Sequence, residues 1–128
     1  MTKISLTNLD SVLTSIHQAK GLPNDHYISE AVFEEEKIAI LFDNWSAIGF
    51  GKDIPEKGDA KPINFVDMPL LMVRDKNGEI NVFQNTCRHR GMILVEEPMN
   101  ITGMIRCPYH NWCYSLNGDL CATPMVGG

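Results

Sequence analysis

The pattern of apolar positions divides the chain into a helical first part and a strand-rich remainder. In residues 8–20, apolar side chains recur at the spacing of an amphipathic helix, and Lys20-Gly21 followed by Pro23 is a typical helix end. A second helix is predicted to begin at Ser29, an N-cap residue type, and its apolar stripe runs to Trp45. We interpret both stripes as packing surfaces.

After Gly49 the apolar period shortens, and turn residues separate short strand-like segments. The Asn-Gly pairs at 77–78 and 117–118 are strong β-hairpin signals. The predicted strands are 47–50, 61–66, 70–74, 80–83, 104–106, 113–116 and 119–122. The pattern therefore predicts a mainly β fold, a small antiparallel β barrel or sandwich with an N-terminal helical arm. We expect the arm at 1–44 and the β domain at 45–128.

Composition and charge exclude several classes of protein. The chain has 128 residues, enough to bury a core, and its hydrophobic share of 44% is ordinary for a globular protein. Because the net charge is −5 with both signs interspersed, neither nucleic acid nor an anionic membrane is expected as a partner. The first residues carry no apolar leader, and no apolar run approaches the ~18 residues of a spanning helix. We expect a cytoplasmic protein.

The candidate chemistry lies in two segments, Cys87-Arg88-His89-Arg90-Gly91 and Cys107-Pro108-Tyr109-His110. They read C-x-H and C-x-x-H, so each offers one thiolate and one imidazole. Two such pairs match the ligand set of a Rieske [2Fe–2S] centre, in which two histidines replace two cysteines on one iron. A structural zinc site is the alternative, although zinc motifs usually pair Cys with Cys and His with His.

This ligand set would change the electron chemistry of the cluster. The charges of two ferric ions, two sulfides, two thiolates and two neutral imidazoles sum to zero, whereas four thiolates would give minus two. A Rieske centre therefore accepts an electron more readily, at roughly −150 to +300 mV against about −400 mV for a plant-type cluster.

The flanking sequence resembles the Rieske motifs of bacterial aromatic-ring-hydroxylating oxygenases, in their large (alpha) subunit. Residues 85–91 and 107–120 carry the resemblance to the family motifs C-R-H-R-G and C-P-Y-H-G-W, which extends upstream to 22–27 and 32–49. Asn111 stands where the family usually has Gly, and Asn is the next-best residue for a left-handed backbone position. The fold that the resemblance implies is the Rieske type.

The resemblance also implies which residues hold the cluster. Cys87 and Cys107 are expected to ligate the inner iron, and His89 and His110 the outer, more exposed one. Each histidine would bind through one nitrogen and leave the other free for a hydrogen bond. Gly91 suits a tight loop whose backbone N–H groups can point at the sulfurs.

Four neighbours are candidates for the surroundings of the cluster. Trp112 is either a lid over it or a core anchor. Arg88 and Arg90 either pair with a partner's carboxylate or are solvated surface residues. Tyr109 and Met92 stand where Rieske proteins of cytochrome bc complexes carry two extra cysteines that bridge the loops. Their identity favours the oxygenase or ferredoxin type.

The remaining cysteines and histidines are assigned no chemistry. Because a disulfide is not expected in a reducing cytosol, we interpret Cys113 and Cys121 as small buried hydrophobic residues. His17 and His26 are interpreted as surface residues, and no Asp/Glu-x-x-His pattern follows them.

The resemblance implies a relay of electrons. In the oxygenases, a reductase or ferredoxin reduces the Rieske centre, and the electron passes to a mononuclear iron in a neighbouring alpha subunit of a trimer. A two-His, one-carboxylate triad holds that Fe(II), and a carboxylate bridges it to a Rieske histidine, here His110 by motif match. This chain shows no such triad. We therefore expect the N-terminal piece of a longer alpha subunit, without the final Rieske strand and the catalytic domain.

Two other functions remain open at this stage. A stand-alone Rieske ferredoxin would share the four ligands and need no second metal. The helical arm between residues 22 and 45 favours the oxygenase, because such ferredoxins usually begin close to the first strand. A structural zinc-binding module is the third possibility.

Overall fold

The computed structural model describes residues 9–124, and the chain divides into two compact units, Met1–Ala47 and Ile48–Gly128. Within the described residues, the α-helices and the π-helical segment lie in the first unit and the sheets in the second. Among residues 9–124, no helix combines the length and the apolar character needed to span a membrane.

The first unit contains two short helices, α1 (Asp25–Ile28) and α2 (Glu30–Glu36), and a π-helical segment at Lys37–Phe42. Ser29 lies between the helices in an extended conformation and begins α2, as predicted, with φ −86° and ψ 122°. The Asn44 amide donates to two carbonyls of the π-helical segment, at 3.1 and 3.0 Å, and so ends it before Trp45. The predicted long helix is therefore broken into pieces with different winding.

The helix predicted over residues 8–20 is wrong for the part that the structure describes. Residues 9–20 form isolated turns, and residue 8 lies outside the described range. The side chains of Leu13 and Ile16 are 74% and 88% exposed, so the apolar stripe has no packing surface. Most helix stability in proteins comes from burying such a stripe, and the Ser and Thr residues of this segment favour turns over helix.

The second unit contains two antiparallel sheets that do not close into a barrel. Of the barrel and the sandwich that the sequence predicted, the barrel is therefore not observed. The mainly β prediction is confirmed. One sheet has the order β3-β2-β1-β4 and the other the order β5-β6-β7. The strands are β1 (Asp59–Phe65), β2 (Met68–Arg74), β3 (Ile80–Gln84), β4 (Met99–Asn100), β5 (Ile105–Arg106), β6 (Cys113–Tyr114) and β7 (Leu120–Ala122).

Six of the seven predicted strands are present, with ends shifted by one or two residues. The strand predicted at 47–50 is wrong, because these residues lie in no sheet and lead into a 3₁₀ turn at Gly51–Asp53. The pattern missed β4, which has only two residues and pairs with Asp59 and Ala60 of β1. A two-residue strand is too short to show an alternation.

Both Asn-Gly pairs connect paired strands, as predicted, and the two connections are built alike. The Asp75 carboxylate accepts hydrogen bonds from the N–H groups two and four residues ahead, at 2.8 and 2.9 Å. The Ser115 hydroxyl accepts the same two bonds at 3.2 and 3.1 Å. Because β3 and β6 each run between such a turn and a Cys/His segment, the turns lie at the opposite end of their strands from those segments.

The core of the second unit includes the cysteines of both motifs. Leu71 and Val73 of β2 are fully buried, and Cys87 and Cys107 belong to the same apolar cluster. Cys113 is buried, as expected, but the expectation for Cys121 is wrong because β7 is a sheet edge whose residues are all exposed. In the first unit, His17 is exposed and His26 half-buried.

We expect Asp75→Ala to lower the free energy of unfolding by about 1–3 kcal/mol, because two N–H groups lose their acceptor beside a carboxylate that is 2% exposed. Urea denaturation measures the change. Ser115→Ala, at the equivalent turn position, is the matched control and should cost less, since its neighbours are exposed to water. Equal costs at the two turns would contradict a special role of the buried carboxylate.

Candidate metal centre

The two Cys/His segments form loops with the same backbone hydrogen bonds. In each loop the N–H of the cysteine donates to the carbonyl five residues ahead, at 2.8 Å in both. The carbonyl of the cysteine accepts a bond from the N–H four residues ahead, at 2.9 Å in the first loop and 3.1 Å in the second. These bonds hold residues 87–92 and 107–112 in two matching tight turns.

Each turn needs a left-handed residue at the fourth position after its cysteine. Gly91 has φ 70° and Asn111 has φ 58°. Glycine adopts this conformation without strain, and Asn tolerates it better than most residues. The expected left-handed conformation of Asn111 is confirmed.

The fold sorts the mixed pairs of the sequence into like pairs. Cys87 and Cys107 are both buried in the same apolar cluster, and Cys107 is one of the groups that lower the pKa of the Cys87 thiol. The His89 and His110 rings lie together outside them, with centroids 4.8 Å apart and planes at 67°. The histidine comes two residues after the cysteine in one loop and three in the other, so the matching turns present their imidazoles from different positions.

The surroundings of Cys87 favour the thiolate. Burial raises the pKa of this thiol, but hydrogen bonds from the Tyr114 hydroxyl, the His89 and Arg90 amides and the Cys107 thiol outweigh burial and hold the pKa below its ordinary value. The expectation that backbone N–H groups point at a sulfur is therefore met at Cys87. A thiolate is the form of cysteine that binds metals.

Sequence reasoning missed Tyr114, which links the first loop to the second sheet. Its hydroxyl lies 3.2 Å from the Cys87 sulfur and accepts a hydrogen bond from the Arg88 N–H at 3.0 Å. Burial raises the pKa of this hydroxyl, and the bond to Cys87 raises it further. The available signal was a tyrosine in a buried strand, because a buried hydroxyl needs a partner.

Each imidazole has a feature that suits it to binding a metal. Burial, the neighbouring His110 and the charge of Arg90 hold the pKa of His89 below its ordinary value. The Nδ1 atom of His110 is buried and has no hydrogen-bond partner within residues 9–124. A buried ring nitrogen without a partner is costly unless something binds it, and a metal ion would satisfy it.

The four neighbouring candidates lie on the outside of the two loops. Trp112 stacks on His89, with ring centroids 4.8 Å apart and planes at 7°, and it also packs against the core, as a core anchor would. Tyr109 lies over His110, with centroids 3.8 Å apart, and is 57% exposed. Arg88 and Arg90 are exposed.

This donor set fits a binuclear cluster with unlike irons. Within residues 9–124, no three Cys, His, Asp or Glu side chains gather in a position to hold a single metal ion. The four candidate ligands form a buried thiol pair and an outer imidazole pair. One imidazole nitrogen is left without a hydrogen-bond partner. A cluster with two sulfur ligands on one iron and two nitrogen ligands on the other needs this arrangement.

The family model and the curated relatives that this chain matches agree on one protein family. The model of the Rieske [2Fe–2S] domain matches residues 44–127. The biphenyl 2,3-dioxygenase subunit alpha of Rhodococcus jostii is 38% identical over 99 residues, which are 77% of this chain and 22% of that protein. The glycine betaine monooxygenase oxygenase subunit of Chromohalobacter salexigens is 34% identical over 114 residues, 87% of this chain and 26% of that protein.

A solved structure has the same fold. The quaternary ammonium Rieske monooxygenase CntA, crystallised with L-carnitine, superimposes with a TM-score of 0.78 at 30% identity, over 84% of this chain and 30% of that one. The chain spans about a quarter of the length of the curated relatives it matches. The similarity to oxygenase subunits favours the oxygenase interpretation over a stand-alone ferredoxin.

We expect Gly91→Ala and Asn111→Ala each to lower the free energy of unfolding by about 1–2 kcal/mol, the cost of a left-handed residue with a Cβ. A Cβ at Gly91 would meet nothing within 4 Å, so only the backbone conformation would be responsible. Asn111→Gly should match or exceed the stability of the natural chain. Urea denaturation of the three variants provides the measurement, and unchanged stability in both alanine variants would contradict the assignment.

Tyr114→Phe should raise the pKa of Cys87 and lower the free energy of unfolding by about 1–3 kcal/mol, because a buried sulfur and the Arg88 N–H both lose a partner. Ultraviolet titration of the thiolate and urea denaturation measure the two effects. Tyr109→Phe is the matched control, since that side chain is exposed and should change neither quantity. A Tyr114→Phe titration identical to that of the natural chain would contradict the hydrogen bond.

Proposed function

The chain belongs to the Rieske [2Fe–2S] domain family, and from this we propose that it is the electron-transfer module of an oxygenase alpha subunit. Cys87 and Cys107 would hold one iron and His89 and His110 the other. The observation that carries this assignment is the sorting of two mixed Cys/His motifs into a buried thiol pair and an outer imidazole pair. We assign the Rieske domain to residues 45–128 and the N-terminal arm, whose helical part lies within residues 25–42, to 1–44.

When bound, the cluster supplies one-electron transfer at a potential above that of a plant-type cluster. The residues around it set the conditions for that chemistry. The Tyr114 hydroxyl and the amides of His89 and Arg90 direct donors at the Cys87 sulfur. Hydrogen bonds to a ligating sulfur stabilise negative charge on it and favour the reduced state. Burial of both cysteines keeps water from the thiolates.

The histidine side is where electrons would enter and leave. Both imidazoles are half-buried, whereas both sulfurs lie in the core, so a partner can approach the outer iron more closely than the inner one. Tyr109 and Trp112 cover the two rings and hold them in position. The exposed part of His110 would face the next carrier.

The partners follow from this assignment. A reductase or ferredoxin would supply the electrons, and a mononuclear non-haem iron in a neighbouring alpha subunit of a homo-oligomer would receive them. The relatives, named as dioxygenases and monooxygenases, support oxygen insertion as the reaction of the whole protein. We assign the module to the cytoplasm, because ligating thiols need a compartment in which they stay reduced.

Anaerobic incubation with ferric iron and sulfide should give a brown protein with the two irons and two acid-labile sulfides of a [2Fe–2S] cluster, reducible by dithionite. Cys107→Ser and His110→Gln should each abolish or severely reduce cluster content, because each removes one of four ligands. Iron and sulfide analysis with a visible spectrum provides the measurement.

The chain offers matched controls for these variants. Cys121→Ser and His26→Gln remove one exposed cysteine and one histidine of the helical arm, and both should keep full cluster content. Loss of the cluster in all four variants would contradict the ligand assignment. Tight zinc binding without sulfide would favour the structural zinc module instead.

A further inference from the structure

The two Cys/His loops are closed at their bases in different ways. The second loop lies between β5 and β6, which pair with each other, so backbone pairing of two strands closes its base. The first loop follows β3, and there only the isolated bridge between Thr86 and Ile93 continues the pairing. One step further out, the Leu94 N–H donates to the Asn85 carbonyl at 3.3 Å, which is long for such a bond. Backbone pairing therefore closes the first loop less completely than the second.

The side chain of Asn85 supplies the pairing that the backbone lacks. Its Nδ2 atom donates to the Val95 carbonyl at 2.6 Å, and its Oδ1 atom accepts a hydrogen bond from the Val95 N–H at 3.0 Å. One side-chain amide thus binds both backbone groups of one residue, as a neighbouring strand would, and we call these two bonds the Asn85 clamp. The Asn85 N–H also donates to the Pro69 carbonyl of β2 at 2.8 Å, so the same residue joins the base of the loop to the sheet.

The Asn85 clamp is buried, which makes its bonds costly to lose. Asn85 and Val95 are 2% and 4% exposed, and Val95 belongs to the same apolar cluster as Cys87. A polar group without a hydrogen-bond partner is strongly unfavourable in such surroundings. Removing the side-chain amide would therefore leave the two Val95 backbone groups unpaired unless the base of the loop opened to water.

The clamp closes the loop that carries two candidate ligands. Asn85 stands two residues before Cys87 and four before His89. From within the same loop, the amides of His89 and Arg90 form hydrogen bonds to the Cys87 sulfur. An opening at the base would move these donors relative to the sulfur and admit water to it. The clamp therefore acts on the position of Cys87 and on its electrostatic surroundings.

We propose that Asn85 is a positioning residue that keeps the first loop closed and so fixes Cys87, with its amide donors, at the candidate metal centre. The proposal rests on the function proposed above and adds a residue that acts through the Val95 backbone. The second loop, closed by paired strands, has Ile105 at the equivalent position and needs no such side chain. Because hydrogen bonds to a ligating sulfur favour the reduced state, a loosened first loop lowers the reduction potential of the cluster.

The test uses Asn85→Leu, which keeps the approximate shape of the side chain and removes both bonds of the clamp. The cluster-free chain is treated with iodoacetamide under native conditions, and mass spectrometry follows each cysteine separately. Because a buried thiol reacts only when the structure opens around it, the rate of alkylation reports local opening. We expect Cys87 to react about tenfold faster in the variant, and the buried Cys107 and Cys113 to stay within about twofold of their rates in the natural chain.

The reconstituted chain gives a second readout, the reduction potential of the cluster in a redox titration. The potential should be lower in Asn85→Leu than in the natural chain, because the donors to the Cys87 sulfur are loosened. Asn81→Leu is the matched control, since Asn81 lies in β3 and its buried amide nitrogen has no hydrogen-bond partner within residues 9–124. The control should change neither the potential nor the alkylation of Cys87.

A role in folding alone would weaken the whole unit without distinguishing its two loops. Equal increases in the alkylation of Cys87 and Cys107, or an unchanged reduction potential in Asn85→Leu, would overturn the proposal. If no cluster assembles in the natural chain, the proposed function fails, while the alkylation of the cluster-free chain still tests the clamp. If the cluster assembles and Asn85→Leu behaves like Asn81→Leu, only the inference about Asn85 fails.

Hydrogen exchange in the natural chain tests the clamp even if Asn85→Leu does not fold. The Val95 N–H, which donates to the Asn85 side chain, should exchange as slowly as the Cys107 N–H, which donates to a backbone carbonyl at 2.8 Å in the second loop. Exchange of the Val95 N–H at the rate of an unfolded peptide would overturn the proposal.

Discussion

The structure of the second unit depends on burying two cysteine side chains in its core while stabilising negative charge on one of them, Cys87. A buried charge is costly unless hydrogen-bond donors surround it. The donors to Cys87 come from the Tyr114 hydroxyl and from backbone N–H groups of its own loop. The tight turn of this loop brings these amides to the sulfur, and it needs the left-handed residue Gly91. The geometry of the loop and the packing of the core thus serve the same requirement, which is to supply hydrogen-bond donors to a buried sulfur.

The two loops also give the candidate metal centre an inner side in the core and an outer side next to solvent. With both sulfurs in the core, the histidines on the outer part of each loop come together next to solvent. The aromatic residues Trp112 and Tyr109 then cover the two imidazoles. An inner thiol pair and an outer imidazole pair would place the iron that is easier to reach on the side where a partner can dock.

The strands that carry the loops were the most predictable part of the fold. Their alternating pattern reflects burial on one face of a sheet, which local sequence records directly. The Asn-Gly turns were found for the same reason, although Asp75 and Ser115 build longer connections than the pair alone indicates. The turn at Val66 and Asp67, with φ 48° and 66°, carried no glycine signal. There, pairing of β1 with β2 imposes a conformation that a β-branched residue does not favour.

The Cys and His types of the two motifs, their spacing, the β class and the family could be read from the sequence by itself, because these depend on residue identity and local period. Tertiary structure alone decided that residues 9–20 form no helix, that Cys121 is exposed and that Tyr114 bonds to Cys87. Each of these outcomes depends on which residues, distant in sequence, a side chain packs against. The sorting of two mixed pairs into like pairs is of this kind, since Cys87 and Cys107 lie twenty residues apart in sequence and only the packing of two loops brings their sulfurs together.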